Sequence, residues 1–152
     1  MWLTKFFHKK NRPNQEPARI QTTLKDIERA VHEFELNLPK QVKRTVLVDK
    51  NNRIDATKLA PYLGGIPTEE YYMSTQTYEI FQEQDRLIPH YLDIVQAAVD
   101  DYVDDNNKLP LMPGCVEGRV HYDLLMQQYY LKEKPPFPLF ITDDEYMLTH
   151  HI

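Results

Sequence analysis

Cysteine, glycine and tryptophan are scarce in this chain, which holds one, four and one of them among 152 residues. With Cys115 alone there is no intramolecular disulfide and no multi-cysteine zinc site. So few glycines leave no G-x-G-x-x-G and no P-loop, and neither G-x-S-x-G nor H-E-x-x-H occurs. Gly64-Gly65 stands between Leu63 and Ile66-Pro67, which reads as a helix stop rather than a phosphate cradle. No apolar run approaches the ~18 residues of a membrane span, and the opening MWLTKFFHKKN lacks the apolar stretch of about 7 to 15 residues found in a signal peptide. The expected location is the cytoplasm, with membrane association left to the first residues.

What is abundant is charge, unevenly placed. Residues 1–53 carry twelve Lys and Arg against six Asp and Glu, and residues 54–152 carry six against seventeen. The acidic majority argues against general affinity for nucleic acid. A segment of residues 1–22 reads as a basic tail in which Trp2, Phe6 and Phe7 share one side of a helix with Lys5, Lys9 and Lys10 nearby. Such a segment can rest weakly on an anionic membrane, or its aromatics can dock on the protein's own core. For the membrane contact, the emission of Trp2 is expected to shift to the blue with anionic vesicles and to return at high salt. No shift at low salt would remove the idea.

Residues 23–152 read as a single α+β domain. Thr23, with Asp26 three positions on, caps a helix carrying Leu24, Ile27, Val31, Phe34 and Leu38 at helical spacing. TVLVD (45–49) reads as a strand, Asp55 as the cap of a helix to Leu63, YYM (71–73) as a strand, and Ser74 as the cap of a helix carrying Tyr78 and Phe81. Pro89 then opens the longest amphipathic stripe, Leu92, Val95, Val99 and Tyr102. A short helix to Leu131, a proline-rich link, the strand LFI and the cap-like Thr142 follow.

The order of elements repeats. At a shift of 68, Leu24, Ile27, Val31 and Phe34 meet Leu92, Val95, Val99 and Tyr102. At a shift of 66, Arg53-Ile54-Asp55 meets Arg119-Val120-His121 and Leu59 meets Leu125; the shift of 68 then pairs Tyr72-Met73-Ser74 with Phe140-Ile141-Thr142 and Tyr78 with Tyr146. Two diverged helix-strand-helix-strand units, about 23–84 and 90–150, are therefore expected to pack as one pseudo-twofold domain, pooling their strands into one sheet.

Candidate chemistry is thin. Asp49, Asn51 and Asp55 approach calcium-loop spacing, but Arg53, Ile54 and Ala60 occupy positions that need a ligand, a glycine and a bidentate glutamate. His121, His150 and His151 show no His-x3-His pattern, and neighbours in a strand point to opposite faces, so no metal or cofactor site is expected. Asp100, Asp101, Asp104 and Asp105 read as a solvated helix face or a docking face for a basic partner. The expected function is a non-catalytic interaction or structural module with a protein partner. The alternative is a small ligand-binding or enzymatic domain whose pocket lies between the units, where Arg53, Tyr72, Tyr78, Arg119 and Tyr146 could meet.

YLGGIPTEEYYMSTQTYEIF, IVQAAVDDYV and PPFPLFITDDEYMLTHH together resemble a family of small uncharacterised proteins of Bacillus-type (Firmicutes) bacteria, a domain of unknown function, over about residues 20–152. The resemblance implies a bacterial accessory protein and supplies no catalytic residues. The unit AAVDDYVDDNNKLP followed by GRVHYDLL is similar to segments of secreted and pilin-like proteins.

Overall fold

The computed structural model describes residues 17–152, so the basic aromatic segment with Trp2, Lys5, Phe6, Phe7, Lys9 and Lys10 lies outside the described residues. The first of the described elements is a two-residue strand, β1 (Arg19–Ile20), which pairs in parallel with β2 (Ile66–Pro67). This strand lies inside the segment read as a tail, 1–22. The pairing needs glycine at 65, because a Cβ there would lie 2.5 Å from the Ala18 carbonyl oxygen.

Helix α1 (Leu24–Leu36) starts as its sequence dictates. Thr23 Oγ1 accepts from the Asp26 amide at 3.2 Å and Asp26 Oδ2 accepts from the Thr23 amide at 2.8 Å, a reciprocal capping box. That backbone hydrogen bond from Thr23 holds the Asp26 carboxyl below its ordinary pKa. Ile27, Ala30 and Val31 turn inward against Leu47, Ile54, Leu59, Tyr71, Met73 and Ile80. Helix α2 (Ala56–Leu63) is capped by Asp55 and closed by Gly64 at φ 79°.

Three expectations fail locally. The β-branched run 45–47 is a 3-10 turn (Arg44–Leu47), with Val48 left to bridge Ile54. The Val46 and Val48 amides find acceptors at the Lys43 and Thr45 carbonyls, and Val46 faces solvent, so no sheet neighbour enforces extension. Ser74 caps a tight turn and no helix: its Oγ accepts from the Gln76 and Thr77 amides, Tyr78 takes φ 62°, and the chain returns as β4 (Ile80–Gln82) antiparallel to β3 (Tyr71–Met73). Thr142 does the same, accepting from the Asp144 amide, so Asp143, Asp144 and Glu145 face no helix dipole; Tyr146 takes φ 61° between β5 (Phe140–Ile141) and β6 (Leu148–Thr149).

Helix α3 (Leu87–Asn106) begins two residues before Pro89 and buries Leu92, Val95, Ala98, Val99 and Tyr102, while α4 (Tyr122–Gln127) buries Tyr122 and Leu125. These residues form a second core with Phe81, Val120, Leu131, Leu139 and Leu148. The architecture is α+β, but the strands do not pool. Among the described residues they form three separate two-stranded sheets: each strand is two or three residues long, and single bridges, Arg53 with Tyr72 and Arg119 with Phe140, take the outer sides of β3 and β5. Among the described residues no helix is long and apolar enough to cross a membrane.

Candidate functional site

A cleft of about 600 Å³ lies in the first half. One wall is the run Arg53, Ile54, Asp55, Ala56 and Thr57, where the 49–55 turn enters α2, and the facing wall is the segment from Ile66 to Tyr71. Asp49, Arg53, Asp55 and Glu70 are already engaged. Asp49 accepts from the Asn51 and Arg53 amides at 2.8 and 3.0 Å, and its other oxygen lies 3.5 Å from Arg53 Nε. The Arg53 guanidinium also donates to Glu70 at 3.3 Å, and Asp55 caps α2 by accepting from the Thr57 amide and hydroxyl. Tyr71 and Tyr72 have hydroxyl pKa values pushed up, first by burial and then by the neighbouring Glu69 and Glu70 carboxylates.

A smaller cleft of about 260 Å³ lies in the second half, between the run Arg119, Val120, His121, Tyr122 and Asp123 and the proline-rich segment from Lys134 to Pro138. Tyr122 crosses its floor and donates to the Phe137 carbonyl at 2.9 Å. Cys115 is half-buried in a loop and lines neither cleft, so His121 and Asp123 have no thiol beside them here.

The five residues expected to meet between the units do not share a described cleft. Arg53 lines the first and Arg119 the second, each beside its own carboxylates, with Glu117 3.4 Å from Arg119. Tyr78 lies under the Arg44 guanidinium, 4.8 Å from ring centroid to Cζ. Tyr72 is buried with its hydroxyl on Glu70, and half-exposed Tyr146 offers only its carbonyl, to Gln96 at 3.2 Å. Asp100, Asp101, Asp104 and Asp105 lie on the outer face of α3, as their spacing implies.

What does join the halves is a side chain that no spacing or motif singles out. Asp93, on α3, accepts from Asn52 Nδ2 at 2.6 Å, Ser74 Oγ at 2.6 Å, the Thr75 amide at 2.9 Å and Thr75 Oγ1 at 2.7 Å. Asn52 and Ser74 are buried, and Asn52 holds φ 66°. One carboxylate thereby gathers the 49–55 turn and the β3–β4 turn of the first half onto the main helix of the second. Gln96, one turn later, accepts from the Leu148 amide at 2.9 Å and fixes β6. His150 and His151 converge on Glu79, and the His150 side chain is 19% exposed.

The fold and its clefts define a small α+β protein that presents a cleft in each half of the described residues. Residues 18–150 match the family described as Protein of unknown function (DUF3939), and the chain belongs to that family. No curated protein and no solved structure shows significant similarity to it.

Proposed function

We propose that the protein is a non-catalytic binding module made of two diverged copies of one unit, each copy presenting a cleft at the same place. The observation that carries this reading is the pair of cleft walls: residues 53–57 line the first cleft and residues 119–123 the second, at the shift of 66 that aligns the two runs. Supporting it, the Ile54 and Met73 amides donate to the Tyr71 and Asn52 carbonyls, and the Val120 and Ile141 amides donate to the Leu139 and Gly118 carbonyls. Asn52 and Gly118 both take positive φ, as do Tyr78 and Tyr146.

The copies have diverged in what their clefts accept. Tyr122 stands where the first unit has Ala56, and its ring and hydroxyl occupy space that stays open in the first cleft. The first cleft is wide, and lined by arginine and carboxylates; the second is smaller and sets proline and aromatic rings beside Arg119, Asp123 and Lys134. The first suits a polar ligand or peptide segment carrying both signs of charge, at a volume usual for small-ligand sites. Because Asp49, Asp55 and Glu70 serve as turn, cap and ion-pair acceptors, binding rather than bond-making is the use the geometry supports.

A thermal-stability screen of the full chain against metabolites and short charged peptides tests this. A ligand present at about 100 times its dissociation constant adds about 2.7 kcal/mol. That gain is expected to vanish in Arg53→Ala and in Ala56→Tyr, and to survive in Arg119→Ala. Arg53 is half-exposed in its ion pairs, so its loss costs the fold little. Turnover of a ligand, or stabilisation indifferent to both first-cleft variants, would overturn the reading.

A further inference from the structure

Glu79 sits in the turn between β3 and β4 with its backbone pinned on both sides: its amide donates to Thr77 Oγ1 at 3.2 Å and its carbonyl accepts from the Ser74 amide at 3.0 Å. His150 and His151 follow β6. Strand alternation would send their rings to opposite faces, but β6 ends at Thr149, whose Oγ1 accepts from the His151 amide at 3.1 Å and turns the chain. Both rings therefore reach one carboxylate. Glu79 Oε1 lies 3.7 Å from His150 Nδ1, and Glu79 Oε2 lies 3.6 Å from His151 Nε2. One donor atom from each residue falls within 4.8 Å of the other two.

Those separations are too long for hydrogen bonds. His150 Nδ1 is buried and has no hydrogen-bond partner, a state that costs free energy unless something supplies the missing interaction. Its ring is held in place, edge-on to Phe81 at 5.4 Å and beside the His151 ring at 3.7 Å between centroids. Two imidazoles and a carboxylate are a donor set for zinc and its neighbours. Tetrahedral bonds of about 2.0–2.2 Å place donor atoms about 3.3–3.6 Å apart, so the three groups need to close by at most about 1.5 Å, a movement that falls to the exposed His151 and half-exposed Glu79 side chains around the held His150 ring.

We propose that Glu79, His150 and His151 bind a divalent transition-metal ion of the zinc type. The ion would clasp the β3–β4 turn of the first half to the segment after β6, and would leave at least one coordination position open. Burial lowers the pKa of His150, against the opposing pull of Glu79 and Asp85, and so favours the neutral imidazole that ligates. The site is separate from both clefts and does not rest on the binding-module reading.

The test is titration of the full chain, metal-stripped and without a histidine tag, with zinc chloride by calorimetry and with cobalt(II) by visible absorption. The expected result is one bound ion and the intense absorption of a low-coordinate cobalt centre. Affinity is expected to fall at least about 100-fold in Glu79→Gln and in His151→Ala, beyond the 10–100-fold typical of losing a residue that only orients a ligand. It should also weaken as the pH falls, because an imidazole must give up its proton to ligate the ion. His151 is 69% exposed, so its replacement leaves the fold intact. His150→Ala is avoided because it would open the contact with Phe81. No cobalt absorption at saturation, or binding that both variants leave unchanged, would overturn the proposal.

Discussion

Leu125→Ala is expected to lower the unfolding free energy by about 3 to 5 kcal/mol, and Leu59→Ala by a comparable amount. Leu125 is 0% and Leu59 1% exposed, and each sits at the helix face that its core closes upon. Truncation removes three buried carbons and leaves a cavity that neighbours such as Leu92 and Leu139, or Ile27 and Met73, can fill only partly. The two leucines belong to different apolar clusters. The double variant should therefore lose the sum of the single losses to within about 0.5 kcal/mol. Urea unfolding followed by circular dichroism reads all three. A loss below about 2 kcal/mol for either single variant would mean that its core repacks more freely than its burial implies.

The second large effect belongs to Asp93. Asp93→Ala is expected to cost about 3 kcal/mol, because hydrogen bonds to a charged acceptor contribute about 1.5–3 kcal/mol each and several donors lose one acceptor together. Asn52 Nδ2 keeps the Met73 carbonyl at 3.1 Å, which limits the damage there, whereas Ser74 Oγ and the Thr75 amide lose their partner outright. Asp93→Asn should restore only part of the loss, since its amide NH2 turns a donor toward donors. The same variant should loosen the 74–79 turn, so hydrogen exchange at the Tyr78 and Glu79 amides is expected to accelerate with it. Stability within about 1 kcal/mol of the parent would show that water replaces the carboxylate.

Local signals were legible where one short segment carries the whole argument. The Thr23–Asp26 capping box, the Asp55 cap and the Gly64 stop all stand where the residues put them, because each is closed by hydrogen bonds a few positions apart. The stripe of Leu92, Val95, Val99 and Tyr102 was equally plain. Ser74 and Thr142 misled for a physical reason: a hydroxyl accepting amides two or three residues on looks the same in sequence whether a helix or a hairpin follows. What followed was decided by Tyr78 and Tyr146 at positive φ, which no tyrosine announces. The 45–47 run misled because β-propensity expresses itself only against a neighbouring strand.

The candidate sites were legible in one respect and hidden in another. The runs 53–57 and 119–123 could be aligned from letters alone, but the emptiness over Ala56 and the filling by Tyr122 required coordinates. Asp93, Gln96 and Glu79 were missed altogether. Each is a single polar residue whose partners lie far along the chain, and neither spacing nor composition marks such a residue.

Short strands have a consequence for how this protein behaves when crowded. Among the described residues none exceeds three positions, whereas fibril-forming segments need about six or seven in continuous extension. A neighbouring molecule therefore finds no ladder long enough to extend. Building from turns, bridges and caps gives up the strength of a broad sheet and gains resistance to edge-to-edge polymerisation in return.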